Sequence, residues 1–566
     1  IGTGNWFTTQ YAGFYTVFIF LSINIFHIKK WQSDKIGTRF VILITLWLFL
    51  QLVFRGNVYG TYIIYAVLTC RLLYFVFTSL FYYDKELIKW SLYAILLTAG
   101  IESVYGFGQL FGLIPNNNTV FQLGGSFGTP SAYASYLAVI SPIVLYLLLS
   151  YKRIRKAENF YYAVLTGFVF ILSLLILSKS RAAWIASSAG CLMVLNHRYL
   201  LLKKFLNLLK TPFRKVTAIM LSVILTVVGS VFLYQFKSDS AFGRLLIWKV
   251  IYHNAPSDNF LLGNGTGYFE AGYGKWQAAY FEKSGGTEKE RYVADYVTCA
   301  YNELIEMLLE QGFLFTLILA AFLIYLYLKR FSRQISLLTC SAFASLTAVI
   351  ILSFFSFPLK IIPVYLTMTF CITLILRDKK QCMKINLFVK YCFIIGCIYI
   401  FGLAVFNLYG YSRLHEGQRQ VFTGGINTGI STYEKALPSL KNNGFFRFYY
   451  GSALAQTGKT EESIEQLQLS IEKSSNPNSY LLLGQSFQKL KKYSEAETAY
   501  KTVIHMIPYK LYPKYLLTRL YMEKGDTVNA KNQAIEILET QEKVPTTAAK
   551  EIKDEMKKYL QEYENR

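Results

Sequence analysis

About a dozen runs of roughly 18 or more mostly apolar residues constrain this chain more than any other feature, because a helix of about 20 residues crosses about 30 Å of hydrocarbon. The runs lie near 10–27, 38–54, 60–82, 88–110, 130–150, 161–178, 182–196, 215–235, 304–328, 336–356, 360–376 and 386–408. Inside a bilayer each peptide group must find its partner within the segment, which leaves helices as the spanning form for runs of this length. The expected fold is all-α: a polytopic membrane helix bundle of about 12 spans. After about residue 410 the chain turns to alternating charged and apolar positions with no spanning run. The expected division is a membrane domain over 1–410, with a long extracytoplasmic loop at 236–302, and a soluble domain over 411–566.

A content of 53% hydrophobic and 17% aromatic residues excludes an ordinary water-soluble globule. The formal charge of +24 would suit nucleic acid, but its placement argues otherwise. Lys and Arg gather in alternate loops: "HIKKWQSDK", "YKRIRKAEN", "HRYLLLKKFLNLLKTPFRK", "KRFSRQ" and "RDKKQCMK". The loops between them carry little excess positive charge, which is the positive-inside pattern. It places the long loop and everything after residue 410 outside the cytoplasm, and no nucleic-acid partner is expected.

The same alternation puts residue 1 outside, and the chain opens on Ile with no positively charged n-region of a signal peptide. The expectation is one further span upstream. The alternative is one span too many in the count, at the short run 182–196.

Of the eight cysteines, Cys70, Cys191, Cys340, Cys371, Cys392 and Cys397 fall in apolar runs, Cys299 at the mouth of one and Cys382 in a basic loop. With no CxxC pair and none after residue 410, they read as small apolar filler. No metal site and no cofactor is expected.

The tail after residue 410 contains a repeat. "SYLLLGQSFQKLKKYSEAETAYKTVIHMIP" fits the tetratricopeptide pattern at Tyr480, Leu483, Gly484, Phe487, Ala496, Tyr500 and Pro508. Leu517, Tyr521, Gly525 and Ala530 follow one period later, and Tyr450, Gly451, Leu454 and Gly458 precede, one residue out of step. Helical hairpins of this kind bury their apolar faces against neighbours, so an α-solenoid is expected. Such repeats either hold a protein partner or pack on their own membrane domain.

Between two apolar runs stands "LSKSRAAWIASS", with Lys179 and Arg181 in a connection too short to lift them far from the membrane. A guanidinium at that depth is costly unless it serves a site or snorkels to headgroups. Arg244 opens an expected amphipathic helix in "GRLLIWKVIYHN", with Leu245, Trp248 and Ile251 on a face that would lie along the membrane. Two outward arginines suit a pyrophosphate, which paired guanidinium donors match.

The order "GGSFGTPSAYASYLAVISP", "LSKSRAAW", "GRLLIWKV" with "LLGNGTGYF", then "CAYNELIEMLLEQG" resembles the O-antigen ligase family over roughly 40–375. That family includes lipopolysaccharide O-antigen ligases, surface-polysaccharide polymerases and protein O-oligosaccharyltransferases. The resemblance implies a bacterial inner-membrane enzyme with its C-terminal domain in the periplasm. Its reaction would be an inverting, metal-independent transfer of a glycan from an undecaprenyl-pyrophosphate donor to lipid A core, a glycan end or a protein hydroxyl. Arg181 and Arg244 would hold the pyrophosphate, and Gly128, Thr129 and Pro130 would shape the lipid or acceptor side of the cavity.

One position departs from the family. Many ligases carry a His-Asn pair at the end of the long loop, and here Tyr301-Asn302 stands there. Tyrosine is a poor base near neutral pH. Glu303 is the favoured proton acceptor, with Asp295 and His253 as alternatives, or a leaving group good enough to need little base. The bland reading of Glu303 is a carboxylate complementing a helix dipole. Arg71 and Glu102, both in apolar runs, would pair with each other or line the cavity, and Arg55 is a candidate for lipid phosphate or an interfacial anchor. The competing classes are a transporter, though no internal duplication of the hydropathy pattern is visible, and a non-catalytic scaffold.

Overall fold

The computed structural model describes residues 32–55, 73–82, 84–116, 121–151, 158–209, 211–213, 216–218, 220, 235, 238–332, 334–377, 382–384, 387–543 and 545–564. The expected run at 10–27, most of 215–235, and Cys70 and Arg71 lie outside these. The described residues form two compact units. One draws on the described residues within 32–235 and 301–408, the other on those within 238–300 and 409–564.

The first unit is helical apart from a two-stranded antiparallel ladder of β1 (Gln32–Asp34) and β2 (Cys382–Lys384). Its described helices are α1 (Lys35–Arg55), α2 (Leu73–Tyr82), α3 (Glu86–Leu110), α4 (Pro130–Tyr151), α5 (Glu158–Leu177), α6 (Arg181–Tyr199) and α7 (Leu201–Leu208). After the long loop come α11 (Glu303–Glu310), α12 (Gly312–Tyr325, continued by a π-turn to Arg330), α13 (Leu337–Ser353) and α14 (Ile362–Leu376). Four of these, α3, α4, α5 and the α12 segment, are long and apolar enough to cross a membrane.

Among the four, α4 is the central one: 83% of its apolar window is buried, against 22% for each of the others, whose free faces would meet lipid. It packs on α6 and α13 through small residues. A Cβ on Gly190 of α6 would come within 2.7 Å of the Pro142 ring of α4 and 3.0 Å of the Ala344 carbonyl of α13. Pro142 supplies no N–H to the Ala138 carbonyl one turn back. Ser141 Oγ donates to that carbonyl instead, at 2.9 Å, and meets Ser187 Oγ of α6 at 2.7 Å. A proline in an apolar helix is tolerable because this hydroxyl restores the missing partner.

The expected span 304–328 is two helices. The chain breaks between α11 and α12 at Gly312, whose φ of +85° suits glycine. The carbonyls freed at the break are taken by α1: Gln51 Nε2 donates to Glu310 O at 3.0 Å and Trp47 Nε1 to Gln311 O at 3.2 Å. At the opposite end of α12, Arg330 pairs with fully buried Asp34 at 3.1 Å, and Asp34 also accepts the Ile36 and Gly37 N–H groups at the start of α1.

In the second unit, the loop supplies α8 (Ser238–Asn254), α9 (Tyr268–Ser284) and α10 (Glu288–Val293). The part of the 36-residue helix α15 (Leu387–Phe422) from Tyr409 onward belongs to this unit and leads into α16 (Ile426–Leu440). Three hairpins follow: α17/α18 (Gly444–Gln456, Thr460–Lys473), α19/α20 (Pro477–Lys489, Tyr493–Met506) and α21/α22 (Leu511–Lys524, Thr527–Glu539), then α23 (Thr547–Glu564). The repeat positions read from the sequence form their contacts. Ala496, Tyr500, Leu517 and Ala530 share one core cluster. A Cβ on Gly484 would press to 2.5 Å from the Tyr500 ring, so the absent side chain lets the two helices of that hairpin close up.

Candidate functional site

The first unit gathers one end of α4, α6 and α13. Because α5 and its short turn return the chain, α6 runs parallel to α4, and α13 runs against both. Counting from the Gly190–Ala344 contact at about 1.5 Å per residue, Arg181 and Ser353 stand at a similar level, roughly 13 Å from that crossing. Pro130 begins α4 at the same end, and the chain after α13 returns across it.

Arg181 is the first residue of α6 and is half-buried. The turn before it is tightly tied. Ser178 Oγ and Trp184 Nε1 both donate to the Leu175 carbonyl, at 2.7 and 2.6 Å, and Lys179 takes a left-handed φ of +53° with an exposed side chain. This geometry sets the α6 N-terminus, and Arg181 with it, rather than leaving it on a loose loop.

The "GGSFGTP" segment is held by α3. Gln109 Oε1 accepts the N–H groups of Gly124 and Gly125 at 2.9 and 2.7 Å. Glu102 accepts from the Ser126 N–H at 3.1 Å and the Ser126 hydroxyl at 2.5 Å. The partner expected for Glu102, Arg71, is outside the described residues, and the Glu102 contacts seen are a turn anchor. Gly128 has φ +71° and open space where a Cβ would sit. It leads into Thr129 and Pro130 at the head of α4, where a proline's fixed φ and missing N–H cost nothing. Ser131 Oγ lies 3.3 Å from Ser356 Oγ, joining this head to the segment after α13.

That segment meets α11. The Leu359 N–H donates to Glu303 Oε1 at 2.9 Å, and Lys360 pairs with Glu306. Glu303, Glu306 and Glu310 are all buried on one side of α11. Burial, with the neighbouring Glu306 carboxylate second, pushes the Glu303 carboxyl well up, to about 8, against the opposing pull of Lys360. Asn302 caps α11, its side chain accepting from the Leu304 and Ile305 N–H groups, which is a structural job. Tyr301 has φ +52° and its ring meets Phe357 edge-on at 5.6 Å.

Arg244 belongs to the second unit. It does not open its helix as expected: α8 begins at Ser238, and Arg244 is its seventh residue. The packed face consists of Leu246, Ile247, Val250 and Ile251, while Leu245 is exposed. The side expected to lie on a membrane is thus partly spent on protein packing. Trp248 Nε1 donates to Ala300 O at 2.9 Å, and Lys249 pairs at 2.7 Å with buried Glu290. Glu290 also completes a reciprocal cap with Thr287 at the start of α10. Hydrogen bonding to Glu290 holds the Lys249 ammonium above its usual range. His253, in the last turn of α8, is exposed beside Tyr252. Asp295 accepts from Tyr509 at 3.0 Å, tying the loop to the repeats. Arg55 ends α1, its side chain outside the described residues.

Sequence reasoning passed over Glu306, Lys360, Ser131 and Ser356. The signals were there in part: acids at 303, 306 and 310 recur at helical spacing in an otherwise apolar "ELIEMLLE", and Lys360 is a lone cation in "SFPLKIIP".

No curated protein matches the chain. Three solved structures it is similar to are titled "MamA RS-1 ArsTM double mutant" (14% identity, 23% of this chain and 74% of that one, TM-score 0.23), "Crystal structure of MamA" (20%, 26% and 90%, 0.22) and "Crystal structure of MamA protein" (18%, 27% and 88%, 0.23). Residues 166–320 match the family model described as O-antigen ligase. That stretch carries Arg181, Arg244 and Tyr301–Glu303, and the match supports the O-antigen ligase family for this chain, and with it a glycosyltransferase-type enzyme of the membrane.

Proposed function

We propose that the chain transfers a glycan from an undecaprenyl-pyrophosphate carrier to an acceptor hydroxyl at the periplasmic face of the bacterial inner membrane, in the manner of a ligase acting on lipid A core. The observation that carries the reading is the family match over the stretch holding both arginines and Glu303. The acceptor oxygen attacks the sugar C1 from the face opposite the carrier. The C1–oxygen bond breaks with its electron pair going to the pyrophosphate, so the anomeric configuration inverts. Arg181 and Arg244 stabilise the charge that grows on the departing pyrophosphate, a preorganised electrostatic effect of the kind that usually contributes most. Glu303 takes the acceptor's proton. A carboxyl whose pKa is raised toward neutrality suits that task, since it is both basic enough and partly ionised at working pH. Gly128, with open space beside it, and Thr129 border the lipid or acceptor side.

The test is a deletion strain complemented with wild type, Arg181→Ala, Arg244→Ala or Glu303→Ala, separating lipid-linked glycan from glycan on lipopolysaccharide, protein and free polymer. Accumulation of carrier-linked glycan by arginine variants that insert normally is the expected result. The product that is depleted then distinguishes ligase from polymerase and protein oligosaccharyltransferase. Arginine variants that transfer like wild type would overturn the reading and reopen a transporter or scaffold.

A further inference from the structure

The loop and the repeats of the second unit interlock in a way the repeat pattern does not require. Helix α9 lies across the places where two successive hairpins end, Ser475 after α18 and Met506–Ile507 at the end of α20, about one repeat apart. At the first, the Ser475 hydroxyl accepts the Gly274 N–H at 2.9 Å and donates to the Glu270 carbonyl at 3.0 Å. Gly274 and Glu270 are the i and i−4 positions of one helical turn, so a serine of the repeats bridges the ladder of the loop helix. A side chain at Gly274 would put its Cβ 2.7 Å from the Ser475 carbonyl. At the second, buried Gln277 donates from Nε2 to Met506 O at 2.5 Å and to Asp295 O at 3.2 Å, while its Oε1 accepts from Tyr273 at 2.5 Å. Ala278 packs with Met506 and Ile507. Tyr296 meets Ser474 at 3.0 Å, and Lys543 covers the Tyr509 ring at 3.6 Å.

The docked α9 packs in turn on α8, and Glu290 joins α8 to α10 and α9 through Lys249 and Tyr280. Arg244 rides on α8. We infer that the second-helix side of the tetratricopeptide array serves this chain's own long loop, with Gln277, Gly274 and Ser475 as positioning residues that act through α9 and α8 on Arg244. The activity arm of this inference rests on the transferase reading above; the docking arm does not. Side-chain amide and hydroxyl bonds do what apolar packing alone would not, since they accept a single register of α9 along the repeats.

The experiment uses the full chain, purified in detergent for limited trypsin digestion and complemented in the deletion strain for transfer. Gln277→Glu keeps the shape but turns the Nε2 donor into an acceptor facing two carbonyls. Ser475→Ala removes the bridging hydroxyl without adding bulk and serves if Gln277→Glu fails to accumulate. Expected are cleavage at Lys275, Lys283 or Lys289 about tenfold faster than in wild type and transfer about tenfold lower. Combined with Arg244→Lys, either variant is expected to lower transfer less than twofold further, because both act through one group. A trypsin-resistant loop, wild-type transfer from an opened loop, or losses that multiply with Arg244→Lys would each overturn the inference. Should Arg244→Lys alone transfer as wild type, the role of Arg244 and its positioning both fall, whereas faster cleavage still reports the docked loop.

Discussion

Replacing Glu303 by Gln separates the role as general base proposed for this carboxyl from what its burial costs the fold. Gln keeps the size and can present its carbonyl to the Leu359 N–H, so the contact at 2.9 Å survives. It imitates the protonated acid, with the Glu306–Lys360 pair left in place. As a general base Glu303 would contribute about 10²–10⁴-fold, or roughly 3–5 kcal/mol of barrier at about 1.4 kcal/mol per decade. The wild-type transfer rate, measured with carrier-linked donor in membrane vesicles, should rise about tenfold per pH unit below the carboxyl's pKa near 8 and level off above it. The Gln variant should lose both the rate and that rise. Stability should move the other way. The folded carboxyl keeps a proton that the unfolded one has released, so the contribution of this group to stability is greatest below about pH 4.5. It falls by up to about 1.4 kcal/mol per unit as pH rises toward 8, and is flat beyond. Gln lacks this penalty, and its Tm in detergent should exceed the wild-type value by a margin that opens between pH 5 and 8. Wild-type transfer by Glu303→Gln with an unchanged pH profile would remove Glu303 as the base. A Tm below wild type throughout that range would refute the argument from burial.

Three further outcomes are expected. Gly190→Leu drives a side chain into Pro142 and the Ala344 carbonyl, prising apart the three central helices; overpacking costs about 1–3 kcal/mol or more, read as a lower Tm and poor recovery of a monodisperse peak. Arg330→Met strands Asp34 in a fully buried place and should cost about 3–5 kcal/mol, much of it recovered by adding Asp34→Asn; no recovery in the double variant would refute the pairing argument. Gly484→Val meets the Tyr500 ring at 2.5 Å and should lower the melting of the repeats by about 1–3 kcal/mol, as followed by trypsin resistance of residues 444–539.

The helical class, the membrane character and the three hairpins were legible from residue order, since apolar run length and a recurring period are local properties. The position of Arg181 between two apolar runs was legible for the same reason, because a cation in an apolar stretch stands out, whereas the "GGSFGTP" segment was singled out only by the resemblance. The expected single span over 304–328 was not, because its apolar composition continues through Gly312, and the break is stabilised by Gln51 and Trp47 more than 250 residues away. Arg71 lies outside the described residues, and Glu102 accepts from the Ser126 N–H and hydroxyl, contacts that residue order did not announce.

What the sequence by itself determined about this protein is therefore what neighbours along the chain decide: helix, apolar run and repeat. Only the tertiary structure decided which side of α8 is packed, that Glu303 is enclosed with Glu306 and Lys360 near it, and that the long loop's α9 is docked on the repeats through Ser475 and Gln277. Burial and charge environment arise from groups distant in sequence, and no local pattern encodes which carbonyl a glutamine 200 residues away will meet.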